Sequence, residues 1–380
     1  MLHEKTTVPN PSVGADGEQP LSKESTGSIS EKLEKSKDRN QELFKKIQEM
    51  QSPDYLHTVT LDELFDSVYT GSPPIVEGLL WPGAYLFVGA PKVGKSFMVA
   101  QIAYHVSMGI DLWGLPVHQG TVLYLALEDD YKRLQQRLYR MYGTEGTEKL
   151  HFAVCAKQLE NGLEGQLTKF VTEHPDTKLI IIDTLQKVRE QNSERYSYAG
   201  DYALIAQLKT FAGTHNICLL LVHHTRKQES ENKFNMISGT NGLLGAADGV
   251  FLLQKINSLK ADVKLDISGR DMPESQLTFR REPETLCWEM EHMYREDWSA
   301  PPDPLLERIN AMLLIQPEEQ WKGSSTQLAQ ALKLEISPVS LTKRLNVNAE
   351  NLLQDYQIRY NWSRLHEGRV ITLQRLRPPA

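Results

Sequence analysis

Cysteine is scarce in this chain: 380 residues contain only Cys155, Cys218 and Cys287. They lie too far apart for any metal-ligand spacing, which excludes a zinc-stapled or disulfide-framed small fold. Cys155 and Cys218 sit in the apolar runs FAVCA and NICLLLV, so both are expected to be buried structural thiols, as suits a reducing compartment. Long hydrophobic runs are missing too. The longest are strand-like stretches such as LLLV, far short of the ~20 residues of a membrane helix. The opening segment MLHEKTTVPNPSVGADGEQPLSKESTGSISEK lacks the apolar core of a secretory signal, so the expectation is a cytoplasmic protein with no membrane partner. Nor is there a large charge excess of one sign. At a net charge of −7, any contact with nucleic acid must come from local basic surface and not from the global field.

What is present falls into segments. Residues 1–38 are polar and nearly free of bulky apolar groups, which predicts a disordered tail. Residues 39–71 read as linker helices. Leu43, Phe44, Ile47 and Met50 recur at helical spacing, for docking either on the chain's own domain or on a neighbouring subunit. From 72 to 297 short apolar runs (AYLFVG, TVLYLALE, KLIIID, NICLLLVHH, GVFLLQKI) alternate with helical segments. That pattern predicts an α/β domain with a mainly parallel sheet covered on both faces. After Asp248 the helices stop, and GVFLLQKI, ADVKLDISG, SQLTFRRE and LCWEMEHM predict added antiparallel strands. WSAPPDP (298–304) is a proline-rich linker. Residues 305–380 predict three helices and a hairpin, the order of a winged helix. A capping box is expected at Ser324 and Gln327, and a cap at Ser337 with Pro338 in the first turn.

GAPKVGKSF follows the first apolar run and precedes a helix, matching G-x-x-x-x-G-K-[ST] in full. Glycines in such a loop turn backbone N–H groups toward phosphate oxygens, and the helix N-terminus adds positive potential. Gly89, Ala90, Pro91, Lys92, Val93, Gly94, Lys95, Ser96 and Phe97 are therefore the candidate ATP-binding residues, with Lys95 on the β- and γ-phosphates. KLIIID ends in Asp183, which together with the Ser96 hydroxyl is the candidate ligand pair for Mg2+. TVLYLALE ends in Glu128, a candidate to activate the attacking water, while Asp129 and Asp130 are alternatives as helix caps. NICLLLVHH ends in His224, with His223 second, as a candidate sensor of the γ-phosphate.

These motifs, taken in order with SGTNGLLGAADGVFLL and ISGRDMPE, resemble the RepA-like branch of RecA-fold ATPases, relatives of DnaB-type hexameric replicative helicases found on plasmids, phages and integrative elements. The resemblance spans roughly residues 72–282. It implies a RecA-like P-loop core and a homo-oligomeric ring, hexameric in that family, with active sites shared between subunits. By motif position it implies catalytic roles for Lys95, Glu128, Asp183 and His224. It also implies that Arg270 is an arginine sent into the neighbour's site; a surface pairing of Arg270 with Asp271 or a glutamate is the other possibility. The segment 225–242 takes the place of a channel loop that would bind single-stranded DNA through Arg226, Lys227 and Lys233, although Glu229 and Glu231 dilute its charge. No large primase-interacting domain is legible ahead of the core.

In the C-terminal unit, the third helix carries Lys343 and Arg344, and the hairpin carries Arg369 with Tyr360 and Trp362 interleaved. In a winged helix these residues would meet duplex DNA, the helix in the major groove and the hairpin on phosphates. A protein-interaction face is the alternative. The leading expectation is an ATP-driven helicase or translocase on single-stranded DNA. The second is an ATP-switched DNA-binding loader or regulator. A small-molecule kinase would need an acceptor pocket and a lid, and neither is legible.

Overall fold

A computed structural model describes residues 52, 54–189, 198–225, 241–256, 262–270, 272–298, 301, 303–365 and 368–376. The tail 1–38, the expected helix around Leu43–Met50 and the loop cations Arg226, Lys227 and Lys233 lie outside the described residues. Two compact units emerge. The larger comprises the described residues of Thr70–Trp321, Glu350–Arg359 and Leu373–Ala380; the smaller comprises those of Met1–Tyr69, Lys322–Ala349 and Tyr360–Thr372.

In the larger unit β1 (Gly83–Gly89), β2 (Thr121–Ala126), β3 (Leu150–Ala153), β4 (Thr177–Asp183), β5 (Cys218–His224), β6 (Gly249–Lys255), β7 (Val263–Gly269), β8 (Ser275–Arg281) and β9 (Trp288–Arg295) form one sheet, ordered β3-β2-β4-β5-β1-β6-β7-β8-β9. Pairing is parallel from β3 to β6 and antiparallel from β6 to β9. This is the expected α/β architecture, a mainly parallel sheet with an antiparallel extension.

Its helices are α2 (Lys95–Met108), α3 (Tyr131–Tyr142), α4 (Leu163–Glu173), α5 (Leu185–Val188), α6 (Tyr198–His215) and α7 (Asn241–Ala246). The central strands β1, β2, β4 and β5 carry continuous apolar runs because both faces are covered, and alternate residues enter two separate cores. Tyr85, Phe87, Leu179, Ile181, Cys218 and Leu220 face the core that contains α2. Leu86, Val88, Ile180, Ile182, Leu219 and Leu221 face the other, with Ile205, Leu208 and Phe211 of α6. Helix α2 meets β1, β2, β3, β4 and β9, so the sheet curls around it. Its burial on nearly every side follows: Met98, Val99, Ala103 and Val106 are wholly enclosed.

Two expectations fail here. Strand β3, ending at Ala153, forms the sheet edge beside β2. Cys155, just beyond that end, is exposed, whereas Cys218 in a central strand is buried as expected. The expected third helix of the C-terminal region is instead two.

The smaller unit holds α1 (Leu61–Asp66), which opens on a capping box between Thr60 and Glu63. The C-terminal region runs α8 (Pro304–Leu314), β10 (Gln320–Ser324), α9 (Ser325–Ala331), α10 (Pro338–Val347), α11 (Ala349–Tyr356), β11 (Ile358–Leu365) and β12 (Gly368–Arg375). The capping box at Ser324 and Gln327 and the Ser337 cap with Pro338 form as expected. The helix breaks at Asn348, the C-cap of α10. Short strand β10, unforeseen, joins the hairpin in a three-stranded sheet ordered β10-β12-β11. Among the described residues no helix is long and apolar enough to cross a membrane.

Phe87 is fully buried and stacks on Phe251 at 6.3 Å between ring centroids. Phe87→Ala is expected to cost about 3–5 kcal/mol, read as a lowered urea midpoint at unchanged slope.

Candidate functional site

Four adjacent parallel strands end together. Gly89 of β1 pairs with His224 of β5, Val222 of β5 with Asp183 of β4, and Asp183 with Ala126 of β2, two residues before Glu128. The carboxyl edge of an open α/β sheet, where helix N-termini and loops converge, is where such folds bind ligands. The register therefore brings together the P-loop, Glu128, Asp183 and His224.

The loop is shaped by its glycines. A Cβ on Gly89 would stand 2.7 Å from the Leu253 carbonyl oxygen, and Gly94 has φ 108°, in the left-handed region. Gly94 caps α2 with no side-chain hydrogen bond, so the first-turn N–H groups are not capped by a side chain. A Cβ on Gly94 would also stand 2.5 Å from Trp288 Cζ2. Gln101 fixes Trp288: its Oε1 accepts from the Trp288 N–H at 2.7 Å, and its Nε2 donates to the Trp288 carbonyl at 3.0 Å. Ala90, Pro91 and Lys92 are exposed and Val93 is buried. Phe97, half-buried, lies under the guanidinium groups of Arg281 (4.1 Å to the ring centroid) and Arg137 (5.1 Å).

Lys95 is folded into the loop. Its Nζ donates to the carbonyls of Gly89 at 2.6 Å and Ala90 at 3.0 Å, and lies 3.1 Å from His224 Nδ1. Burial pushes its pKa down to about 8, against the opposing pull of Asp183 and Glu128. Burial, and then the Lys95 ammonium, hold His224 below its usual range. The ring is therefore neutral at pH 7, and its Nδ1 accepts from Lys95.

Asp183 is 6% exposed, and its Oδ2 accepts from the Tyr124 hydroxyl at 2.8 Å. The Ser96 side chain hydrogen-bonds to the same carboxylate. Burial raises the Asp183 pKa; the two hydrogen bonds and Lys95 oppose that rise and the Glu128 charge adds to it. Glu128 is exposed, and its Oε1 accepts from the Thr184 hydroxyl at 3.1 Å. Asp130, not Glu128, caps α3 by accepting from the Arg133 N–H at 2.8 Å. Asp129 pairs with Arg137 at 2.7 Å and Arg133 at 3.2 Å. Of the two cap alternatives Asp130 is therefore the cap and Asp129 is engaged in ion pairs, while the Glu128 carboxylate is held by Thr184.

Among the described residues no cluster of three His, Cys, Asp or Glu side chains could hold a metal alone. The Ser96–Asp183 pair nevertheless fits magnesium, which takes one or two protein oxygens and completes its shell with phosphate and water.

Arg270 stands elsewhere. It follows Gly269, which pairs with Gly249 at the opposite end of β6 from Leu253, the partner of Gly89. Its Nη2 donates to the Gly245 carbonyl at 2.6 Å, and the residue is exposed. Arg270 does not reach its own P-loop. In the C-terminal region, Lys343 and Arg369 face carboxylates of α1: Lys343 is ion-paired with Asp62, and Arg369 lies 3.9 Å from Asp66. The Arg344 carbonyl accepts from the Asn348 N–H at 3.1 Å at the end of α10.

Sequence reasoning missed Thr184, Tyr124, Arg281 and Trp288. Thr184 directly follows the acid in IIIDT and was findable by asking what orients Glu128. The others reach the site only through tertiary packing.

Residues 51–230 match the family model of an AAA domain, a span that takes in the P-loop, Glu128, Asp183 and His224 and stops before Arg270. No curated protein matches the chain significantly. Among solved structures the chain is similar to an ATPase domain at 15% identity (67% of this chain, 98% of that one, TM-score 0.49). It is similar to a DnaB-like replicative helicase, in a structure describing interactions with primase, at 16% identity (70% and 75%, TM-score 0.45). It is also similar to a KaiC-like protein from Pyrococcus horikoshii OT3 at 15% identity (59% and 99%, TM-score 0.40).

A carboxyl whose folded pKa is raised favours folding only at acid pH, and that stabilisation is lost as pH rises through the folded value. At pH 7 the buried Asp183 carboxylate is therefore a cost. Asp183→Asn is expected to raise the nucleotide-free thermal midpoint by about 2–4 °C while abolishing magnesium-dependent hydrolysis. Differential scanning fluorimetry from pH 4 to 8, run beside an activity assay, reads both; the gain should shrink toward pH 4.

Proposed function

We propose that this chain is an ATP-hydrolysing, DNA-associated motor built on the RecA-like core, acting as a homo-oligomeric ring, hexameric by resemblance, that translocates on single-stranded DNA during replication of a mobile element or phage. One observation carries the reading: the P-loop, Glu128, Asp183 and His224 converge on one sheet edge. Arg270 lies at the other end of β6–β7, away from its own P-loop, and the reading assigns it to a neighbouring subunit's nucleotide. The AAA-domain match supports the ATPase part of this reading.

In the proposed chemistry the N–H groups of the P-loop and the α2 N-terminus bind the phosphates. Lys95 exchanges its carbonyl partners for phosphate oxygens. Bound magnesium, held by Ser96 and Asp183, would neutralise phosphate charge. Glu128, oriented by Thr184, takes a proton from the attacking water. The neutral His224 ring, released from Lys95, reports the state of the γ-phosphate to the chain that follows β5. Arg270 of a neighbouring copy places a fixed guanidinium on the charge of the transferring phosphoryl group. The region 305–380 acts as a winged helix on duplex DNA through Lys343, Arg344 and Arg369. A second reading keeps the ATPase and drops the motor: an ATP-switched DNA-binding loader or regulator.

Steady-state hydrolysis with and without single-stranded DNA tests the motor. Stimulation by several fold is expected, and indifference to DNA would move the assignment to the switched regulator. Lys95→Ala and Arg270→Ala should each lose at least about 100-fold in kcat. Mixed one to one, they should recover activity, since roughly a quarter of the interfaces would pair an intact P-loop with an intact Arg270. No recovery on mixing would place Arg270 outside the shared site.

A further inference from the structure

Helix α1, LDELFD, carries three carboxylates in six residues and belongs to the same compact unit as α10 and the central part of the C-terminal hairpin. Three polar contacts tie it there. Asp62 is ion-paired with Lys343 of α10, and Asp66 lies 3.9 Å from Arg369 of β12. The third point is a backbone contact: Asn346 Nδ2 donates to the Phe65 carbonyl at 3.0 Å. Asn346 is 1% exposed, and its other amide atom accepts from the Tyr360 hydroxyl at 2.8 Å, so its donor is aimed at α1 by a buried partner. Arg369 also lies over Trp362, with its guanidinium carbon 3.9 Å from the ring centroid.

The apolar residues of α1 are only partly covered in this attachment, with Leu64 and Phe65 at 42% and 37% exposure. No residue of the helix is buried, and Leu61, Leu64 and Phe65 are exposed. A six-residue helix is too short to be stable by itself, and exposed ion pairs hold weakly. Between α1 and the C-terminal helices remains a cleft of about 260 Å³ lined by Asp66, Ser325, Pro338, Val339, Thr342 and Arg369. Two of the three cations expected to meet duplex DNA are therefore matched by carboxylates on one face of a weakly held segment.

We propose that α1 is an intramolecular blocker of the α10 face, an acidic helix that holds Lys343 and Arg369 until the phosphates of duplex DNA displace it. The proposal rests on reading that face as duplex-binding. Displacement is favourable because DNA offers both cations a phosphate each and releases condensed counterions, whereas α1 offers two exposed carboxylates. Lys343 and Arg369 side chains remain about a quarter exposed (26% and 28%), so an incoming phosphate can reach each of them before α1 has left.

The test uses the full-length chain and a short labelled DNA duplex of arbitrary sequence, followed by fluorescence anisotropy at constant salt. D62N/D66N keeps shape and removes the competing charge; Asp62 is 83% exposed, so the fold should survive, and an unchanged thermal melt checks it. The expected result is duplex binding about five- to tenfold tighter than wild type, with the gain lost when Lys343→Ala is added. Equal affinity of wild type and D62N/D66N, with Lys343→Ala weakening both, would overturn the blocker and leave the face as a DNA reader. No duplex binding by either protein, or binding indifferent to Lys343→Ala, would overturn the DNA reading of this face and the blocker with it.

Discussion

Parallel pairing of β1 with β5, in the register that sets Gly89 beside His224, is the constraint on which the candidate site depends. Side chains alternate along a strand, so a slip of one residue would turn His224 away from Lys95 and exchange the two cores. Register is held by those cores. Tyr85 and Phe87 must enter one while Leu86 and Val88 enter the other, and β4 and β5 obey the same alternation. Placing Asp183 next to β5 and Glu128 just beyond β2 needs no further device. The chemistry at the edge is a consequence of burial in the middle.

The price of this arrangement is buried charge. Lys95 and Asp183 are almost fully enclosed, and burial disfavours the charged form of each, lowering the lysine and raising the acid. Their hydrogen bonds, to loop carbonyls for one and from Tyr124 and Ser96 for the other, are partners that phosphate and magnesium can replace. A site that holds its ionised groups through exchangeable contacts is suited to binding a charged ligand, and perturbed pairs of this kind concentrate at functional positions.

Much of this was legible in the sequence, for stated physical reasons. KLIIIDT and NICLLLVHH announce central strands because continuous β-branched and leucine runs have no alternative but burial on two faces, and the polar residue that ends each run marks the sheet edge. GAPKVGKSF is legible because few residue types allow that loop. Strands β3 and β10 were not legible: four and five residues long, they carry no periodicity of their own. The break at Asn348 was hidden in a segment whose helical spacing continues through it. Trp288 under Gly94 could not be read at all, since Gln101 and Trp288 meet across 187 positions. Nothing in the sequence ties LDELFD to its partner Lys343, which lies 281 positions away.

Thermal unfolding of wild type and Lys95→Ala, each with and without millimolar magnesium–ATP, tests the central claim most directly, because it reads binding at the β1–β5 edge without assuming an oligomer or DNA. A ligand held by the folded chain alone must raise its midpoint, by about 3 kcal/mol of stabilisation at a hundredfold excess over Kd. The account predicts a rise of several degrees in wild type, dependent on magnesium, and none in Lys95→Ala. A wild-type midpoint unmoved by the nucleotide, or an equal rise in the variant, would contradict it.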